Sequence, residues 1–377
     1  MMTSGRRRKI LIAMMDGFGP EYLQASDMPT LKTMIKDGFY KTVNACMPTV
    51  TNVNNASICT GEAPDVHGIT ANSYFDMSSR EEHYMDKAEL LLAPTIFEKA
   101  RKAGMKSALL TAKVKTIRML HRGAEVMEAA EKPTETWIGK LGPAPDIYSA
   151  EINYWMWRAV LVLLRERPDI DLFYCHTTDY PMHMNDALGD LSQSHLREID
   201  KLFGQILNEC PEMEFYLTAD HGMNFKSRCY DFNKYMPEKG LPIFFSMSAE
   251  RDPYIKHHRT FGGTAYVWLN KPGDYVKVVD ILRRVEGVEA VYGRYEGASL
   301  FRLHPDRVGD LLVLGDKDTV FGPLDGAVED LPKGFRTHGS LHEGLVPLVV
   351  YNAKVDFTKW DDYRSNFDLT RHLSLEG

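Results

Sequence analysis

Three apolar stretches of strand length in this sequence each end in an aspartate. Asp16 follows KILIAMM, Asp179 follows DLFYCHTT and Asp220 follows EFYLTA. Parallel α/β sheets place functional groups beyond the carboxyl ends of their strands, so we expect the three carboxylates on one edge of a sheet. Clustered carboxylates repel each other, and their pKa values rise unless a cation lies among them. One such aspartate alone is as often a helix N-cap, but three together indicate a cation site.

Two of these aspartates have a histidine close by in the sequence. His183 follows Asp179 by four residues, which places both on one face of a helical turn. Pro181 favours that turn, because proline suits the first position of a helix. His221 directly follows Asp220. Carboxylate and imidazole together suit Zn²⁺ and, less selectively, Mn²⁺ or Fe²⁺.

A candidate nucleophile stands at the start of a predicted short helix. Thr51 lies in MPTVTNVNNASICTG, where the helix N-terminus behind its hydroxyl favours an anion. For a threonine taken alone, an N-cap role is the better prediction. Beside a metal ion, however, the pKa of the hydroxyl falls, and the threonine becomes a candidate nucleophile.

Two lysines follow another predicted strand, KSALLTA. Lys113 and Lys115 are two residues apart, so in an extended segment both side chains would lie on the same side. Taken alone they would be read as a solvated loop. Beyond the same edge of the sheet as the aspartates, they would add positive charge for an anionic substrate.

The elements that must position these residues follow an α/β pattern, in which apolar runs of strand length alternate with helical periodicity. This predicts a largely parallel central sheet flanked by helices. The predicted core strands are 9–16, 106–112, 171–178, 214–219, 243–247 and 346–351. The predicted helices are 29–37, 94–103, 154–165 and 193–210.

Residues 262–337 have a different pattern of predicted elements. Short strands are expected at 264–269, 289–292, 300–303 and 311–314, around one helix at 273–285. We therefore predict a small inserted α+β cap over residues 262–337. Residues 1–261 and 338–377 would form the metal-binding α/β catalytic core.

Composition excludes several classes of protein. The chain has 377 residues, 44% of them hydrophobic, and a net charge of −7, which indicates an ordinary globular protein rather than a disordered one. An acidic chain is a poor candidate for nucleic-acid or membrane-surface binding. The basic residues 6–9 precede only six apolar residues, too few for a signal peptide. Five cysteines without CxxC spacing suggest reduced thiols, so we expect a cytoplasmic protein.

Taken in order, the motifs resemble the alkaline phosphatase superfamily. They are MMDG at Asp16, PTVTNVNN, HGITANSYFD, TTDYPMH, TADHGMN and RTHGSL, which contains His338. The resemblance is strongest to the nucleotide pyrophosphatase/phosphodiesterase-like branch and, within it, to phosphonoacetate hydrolases. It runs from the first to the last predicted core strand, and it implies an alkaline-phosphatase-like α/β core.

The resemblance also implies the roles of individual residues and two zinc ions. The first zinc would be held by Asp16, Thr51, Asp220 and His221, and the second by Asp179, His183 and His338. Thr51 would be the nucleophile, Asn72 would donate to a phosphoryl oxygen, and Lys113 and Lys115 would receive a substrate carboxylate. One departure from the family pattern is MNDALGD after His183, which affects loop contacts rather than the ligand.

The implied reaction cleaves the C–P bond of phosphonoacetate to acetate and phosphate through a phosphothreonine. A carbanion is a poor leaving group, but a neighbouring carboxylate lets it leave as an enediolate-like species that fixed cations stabilise. Two alternatives share the two-metal frame: a phosphodiesterase or nucleotide pyrophosphatase, and a hydrolase of another carboxylated phosphonate or phosphate monoester. The third is a non-catalytic metal-binding protein. The expected partner is a small anionic substrate, and the oligomeric state stays open, a homo-oligomer included.

The remaining histidines receive weaker predictions. His67, in a DVHG turn, is expected to be structural, whereas His257 and His258 stay open between a substrate-side role and a surface pair. His342 lies four residues after His338, and the THG motif favours His338 as the ligand. We expect structural or exposed positions for His176, His195, His304 and His372.

Overall fold

The computed structural model describes residues 8–353 and 357–375. Arg6 and Arg7 of the basic N-terminal segment lie outside the described residues. No helix within these two described ranges is long and apolar enough to cross a membrane.

The strands are given in chain order. They are β1 Ile10–Met14, β2 Phe39–Asn44, β3 Ser73–Asp76, β4 Glu81–Tyr84, β5 Lys106–Thr111, β6 Val126–Ala129, β7 Ile170–His176, β8 Glu214–Thr218, β9 Asn224–Phe225, β10 Arg228–Tyr230, β11 Phe245–Ser248, β12 Thr264–Trp268, β13 Val288–Gly293, β14 Leu311–Gly315, β15 Thr319–Phe321, β16 Val328–Asp330, β17 Arg336–Thr337 and β18 Leu345–Tyr351.

The α-helices lie mostly between these strands. They are α1 Pro20–Ala25, α2 Pro29–Asp37, α3 Thr51–Thr60, α4 Pro64–His67, α5 Ile96–Lys102, α6 Val114–Leu120, α7 Glu135–Leu141, α8 Glu151–Glu166, α9 Tyr180–Met184, α10 Asp190–Glu209, α11 Phe232–Glu238, α12 Ile255–His258, α13 Tyr275–Leu282, α14 Arg294–Phe301 and α15 Asp368–Arg371. Short 3-10 helices occur at Ala88–Leu90, Pro272–Asp274, Pro305–Arg307, Leu341–Glu343 and Phe357–Asp362.

A seven-stranded sheet forms the centre of the molecule, in the order β2-β18-β8-β1-β7-β5-β6. Only β18 runs against its neighbours in this sheet; the β8-β1-β7-β5-β6 pairs are all parallel. Every residue of β1 and β7 is buried, as expected for parallel strands covered on both faces by helices. The predicted α/β class with a largely parallel sheet is confirmed.

A second sheet of four antiparallel strands has the order β11-β12-β14-β13. The prediction that 243–247 belongs to the core sheet is wrong, because β11 pairs with β12 instead. The predicted strand 300–303 is also wrong, because the chain is helical in α14 until Phe301. Gly297 in that helix has no side chain, which lets α14 pack closely on Leu312 of β14. The division of the chain at residues 262 and 337 stays a prediction.

Candidate active site

The three strand-terminal aspartates meet at one edge of the central sheet. The strands β8, β1 and β7 are neighbours, and Met14 of β1 pairs in register with Thr218 of β8 and with His176 of β7. The chain therefore leaves the three strands at the same level, just before Asp16, Asp179 and Asp220. All three carboxylates are buried, with at most 2% of each residue exposed. This is the arrangement that the parallel-strand argument predicts.

Asp16, Asp220 and His221 form one group of candidate metal ligands. The Nε2 atom of His221 lies 3.4 Å from Oδ1 of Asp16 and 3.3 Å from Oδ2 of Asp220. One ligand atom from each of the three lies within 4.8 Å of the others. The other oxygen of Asp220 accepts the backbone N–H groups of Gly17 and His221, which fixes the carboxylate.

Asp179 stands at the centre of a second group. Its Oδ2 lies 2.8 Å from Nε2 of His183 and 3.7 Å from Nε2 of His338. As predicted, Asp179 and His183 are joined by a helical turn, because α9 begins directly after Asp179 with Pro181 in its first turn. The rings of His221 and His338 stack with centroids 3.4 Å apart, so the two groups are adjacent.

The three candidate histidine ligands share one orientation. In each, Nδ1 lies 2.7–2.9 Å from a backbone carbonyl oxygen, as seen for His183 with Arg336, His221 with Gly222 and His338 with Thr49. A carbonyl oxygen only accepts hydrogen bonds, so each Nδ1 carries a proton. Nε2 of His221 and Nε2 of His338 make no hydrogen bond within residues 8–353 and 357–375, whereas Nε2 of His183 lies 2.8 Å from Oδ2 of Asp179. Metal-binding histidines are oriented in this way by their outer hydrogen bonds.

The protonation of the site fits metal binding. Burial lowers the pKa of His338 well below its ordinary value, so the imidazole is neutral. Burial and the neighbouring Asp16 raise the pKa of Asp220 well above the usual range. Burial also opposes the charge of Asp179, but Lys113 and His183 outweigh it and lower the pKa of that carboxyl. A divalent cation would relieve the repulsion that Asp220 experiences.

Several buried polar atoms at this site make no hydrogen bond to any residue between 8 and 353 or 357 and 375. They are Oδ1 of Asp16, Oδ2 of Asp220, Nε2 of His221, Nε2 of His338 and Nδ2 of Asn72. Buried polar groups normally have a partner, and a bound ion supplies one where the protein does not. Two carboxylate oxygens and two imidazole nitrogens that converge without partners among the described residues fit a metal ion.

Thr51 is the first residue of α3 and is 1% exposed. Asn72 lies close to it, because Oδ1 of Asn72 accepts the backbone N–H of Asn52 at 2.9 Å. That hydrogen bond leaves Nδ2 of Asn72 as a donor without a partner among the described residues. The structure therefore places the candidate nucleophile and the candidate phosphoryl donor at the same helix N-terminus.

Both predicted lysines are buried at the site, but not in an extended segment. Lys113 precedes α6 and Lys115 lies in its first turn. Nζ of Lys113 lies 2.9 Å from Oδ2 of Asp16 and 3.4 Å from Oδ1 of Asp179. Burial opposes the charge of Lys113, but these two carboxylates raise its pKa well above the ordinary value, so it is charged. Lys113 is extended at the N-cap of α6 and Lys115 is helical, so strand alternation does not explain why both side chains lie at the site.

Sequence reasoning missed two acidic residues beside the lysines. Asp252 forms a short ion pair with Lys115, and Glu250 lies 3.6 Å from His338. Both carboxylates are buried, and burial raises the pKa of Glu250 well above its usual range. Asp252 therefore offsets the positive charge of Lys115 within the site. None of the motifs in the sequence analysis contains either residue.

Three histidines with weaker predictions also lie at the site. His257 and His258 are buried, with 9% and 2% exposed, so they are not a surface pair, and Nε2 of His257 lies 3.9 Å from Asp179. Together with Asp179 and His183, His257 makes a further group that can hold a metal. His176 is buried 3.3 Å from Asp16, a contact between neighbouring strands that nothing in the sequence signals. His67 is structural, as predicted, with hydrogen bonds to Ser57 and Ile69.

A family model described as Type I phosphodiesterase / nucleotide pyrophosphatase matches residues 10–341. The chain belongs to this family. The alkaline phosphatase superfamily and its phosphodiesterase-like branch, predicted from the motifs, are confirmed.

Curated members of the family match parts of this chain. An ectonucleotide pyrophosphatase/phosphodiesterase of Caenorhabditis elegans is 26% identical over 261 residues, which cover 62% of this chain and 28% of that protein. A bis(5'-adenosyl)-triphosphatase of Bos taurus is 38% identical over 85 residues, covering 22% of this chain and 18% of that protein. The matched segment of this chain therefore spans under a third of the length of each of these two relatives.

Solved structures match over nearly the whole chain. A phosphonoacetate hydrolase from Sinorhizobium meliloti 1021 in complex with phosphonoacetate has a TM-score of 0.86 at 29% identity, covering 97% of this chain and 95% of that one. Murine ectonucleotide pyrophosphatase / phosphodiesterase 5 in complex with AMP has a TM-score of 0.68 at 18% identity, covering 91% and 88%. The second likeness shows a common fold.

Proposed function

We propose that this chain is a metal-dependent hydrolase that cleaves the C–P bond of phosphonoacetate, giving acetate and phosphate. The observation that carries the proposal is the pair of buried lysines directly beside the aspartate and histidine groups. The Lys113 ammonium lies within 3.4 Å of both Asp16 and Asp179. A hydrolase of simple phosphate esters has no need for buried cations at this point, whereas a carboxylated phosphonate does. The structural likeness to the phosphonoacetate hydrolase of Sinorhizobium meliloti supports the same substrate class.

In the proposed reaction, Oγ of Thr51 attacks phosphorus, and the P–C bond breaks with its electron pair passing to carbon. Two divalent cations, zinc by preference, would neutralise the phosphonate and lower the pKa of the Thr51 hydroxyl. Asp16, Asp220 and His221 would hold one of them, and Asp179, His183 and His338 the other. Thr51 would contribute its oxygen to the first.

The remaining groups act on the charges that develop. Nδ2 of Asn72 donates to a phosphoryl oxygen, and Lys113 and Lys115 stabilise the enediolate-like leaving group through its carboxylate. Carbon then takes a proton from water and leaves as acetate, and the hydroxide so formed is neutralised by the proton that the Thr51 hydroxyl gave up. Attack of a second water on phosphorus releases phosphate and restores Thr51.

The predicted site residues are enclosed by protein. None of these ten residues is more than 4% exposed, and Thr51 and the two lysines are each at most 3% exposed. A small, highly charged molecule suits such an enclosed polar site better than a large neutral one.

A phosphodiesterase acting on the same metal frame is the second candidate, and the family model over residues 10–341 favours it. The deciding experiment measures phosphate release from phosphonoacetate and aryl alcohol release from a bis-aryl phosphodiester. Both assays use one zinc-loaded sample whose metal content is measured. We expect turnover of phosphonoacetate. Diester turnover without phosphate release would favour the phosphodiesterase, and ligand binding without any turnover would favour a non-catalytic protein.

A further inference from the structure

The turn that carries the two lysines packs against the ring of Tyr254. Nζ of Lys113 lies 5.6 Å, and Nζ of Lys115 5.5 Å, from the centroid of that ring. All three side chains are buried, with 3%, 2% and 7% exposed. An aromatic face attracts an ammonium group within about 6 Å, and more strongly when both are removed from water. One ring therefore stabilises both cations of the candidate carboxylate site.

The hydroxyl of Tyr254 links this ring to the backbone of the lysine turn. It donates a 2.7 Å hydrogen bond to Oε2 of Glu131. The same oxygen accepts the backbone N–H of Val114, the residue between the two lysines, at 2.8 Å. One carboxylate oxygen thus ties the position of the ring to the position of the turn.

Asp252, two residues before Tyr254, contacts both Lys115 and the backbone of Tyr254. Its Oδ2 pairs with Nζ of Lys115, and its Oδ1 accepts the backbone N–H of Tyr254 at 2.6 Å. Lys115 therefore lies between a carboxylate and an aromatic face that belong to the same short loop. Two like charges in a buried site repel each other, and this loop supplies the groups that keep them in place.

We propose that Tyr254 is a positioning residue that sets specificity by holding Lys113 and Lys115 as a preformed receptor for the carboxylate of the substrate. The inference rests on the proposed function and extends it to a residue for which the sequence predicts no role. A preformed receptor binds more tightly because less ordering is needed when the ligand arrives. The effect should be confined to ligands with a carboxylate, since phosphate alone would engage Thr51, Asn72 and the metals.

The test compares two probes on zinc-loaded full-length protein by titration calorimetry. Phosphonoformate carries both a phosphonate and a carboxylate, whereas inorganic phosphate carries no carboxylate. Tyr254→Leu removes the ring and should weaken phosphonoformate binding about tenfold. Tyr254→Phe keeps the ring but loses the bond to Glu131, and should weaken it about threefold. Phosphate binding should change less than about twofold in both variants.

The controls separate this inference from a general loss of structure. Tyr295→Leu makes the same exchange at a residue that is 74% exposed, and should leave both affinities unchanged. Zinc content and the thermal midpoint are measured for every variant. If Tyr254→Leu does not fold, Tyr254→Phe decides, and an unchanged ratio of the two affinities in it overturns the inference.

The outcomes also separate this inference from the proposed function. Wild-type protein that prefers phosphonoformate to phosphate, with an equal preference in Tyr254→Leu, would overturn the role of Tyr254 alone. Equal losses for the two probes would also overturn it, because they would indicate a structural role. Wild-type protein without any preference for phosphonoformate would overturn the proposed function, and the role of Tyr254 with it.

Discussion

Nδ1 of His338 donates a 2.7 Å hydrogen bond to the backbone carbonyl oxygen of Thr49, two residues before the candidate nucleophile. Two further bonds join the same segments: the N–H of Gly339 donates to the Thr49 hydroxyl, which itself donates to the carbonyl oxygen of Ser340. The loop with the last predicted metal ligand and the segment leading into Thr51 are therefore one hydrogen-bonded unit. A change in either segment should disturb the position of the candidate ligand His338.

His338→Ala should reduce the zinc content from about two ions per chain to about one. The remaining ligands of that group, Asp179 and His183, would hold the metal too weakly with two side chains. His342→Ala is the matched control, because His342 lies four residues on and hydrogen-bonds Glu289 at the surface. Metal analysis after dialysis against limiting zinc checks this. Full zinc retention in His338→Ala would show that another residue, such as His257, is the ligand.

Thr51→Ala should reduce kcat on the order of 10³-fold while zinc stays bound, because the nucleophile is lost but Asp16, Asp220 and His221 remain. Thr51→Ser keeps a hydroxyl and should retain much more activity than the alanine variant. Thr60→Ala, at the other end of α3, is the control. Near-full turnover by zinc-loaded Thr51→Ala would contradict the threonine mechanism.

Lys115→Ala should impair phosphonoacetate cleavage far more than hydrolysis of an aryl phosphate ester, because only the first substrate presents a carboxylate. The substitution leaves Asp252 without its cation, and a buried unpaired charge is itself destabilising. The double variant Lys115→Ala/Asp252→Asn removes that charge and should show the same selective loss. Lys106→Ala changes a lysine that is paired at the surface, and serves as the control. Similar losses of kcat/KM on both substrates would refute the role of the lysine.

The stability of the protein should fall as the pH is lowered below 6.5. Burial lowers the pKa of His67 and of His195 from 6.5 to about 3, so the fold holds both rings neutral. A depressed histidine pKa stabilises the fold fully above 6.5, and the stabilisation is lost as the pH falls towards 3. At pH 5 the free energy of unfolding should be lower by about 2 kcal/mol for each of the two histidines.

His195→Phe should reduce this acid sensitivity. The ring of His195 stacks on Tyr154, and its Nδ1 is a buried atom without a hydrogen bond to the described residues. The difference in the free energy of unfolding between pH 7 and pH 5, from urea titration, should be about 2 kcal/mol smaller in this variant than in the wild type. Tyr295→Leu, which changes an exposed residue that is not a histidine, is the control and should leave that difference unchanged. An equal acid loss in His195→Phe would show that other groups dominate.

Five of the seven strands of the central sheet could be predicted from the sequence, but its two edge strands, β2 and β6, and parts of the second sheet could not. The strand that ends near Asp16 and the helix 29–37 follow from local periodicity, which is a property of neighbouring residues. The strand β11, which begins at Phe245, has an apolar sequence like that of a strand in the central sheet. It belongs to the second sheet because it pairs with β12, and that pairing is not encoded by neighbouring residues. The largely apolar segment 300–303 resembles a strand in sequence. In the structure its first two residues end α14, which packs on β14 through Gly297 and Leu312.

The common position of the three strand-terminal aspartates could be predicted from the sequence, because a side chain at the end of a parallel strand has its place set by that strand. Asp16, Asp179 and Asp220 meet for this reason. Only the tertiary structure brought Asp252 to Lys115, across 137 residues of chain, and Tyr254 to Glu131, across 123. These contacts depend on how a loop packs over the edge of the sheet. That packing is decided by the burial of many distant residues together, so no spacing along the chain signals it.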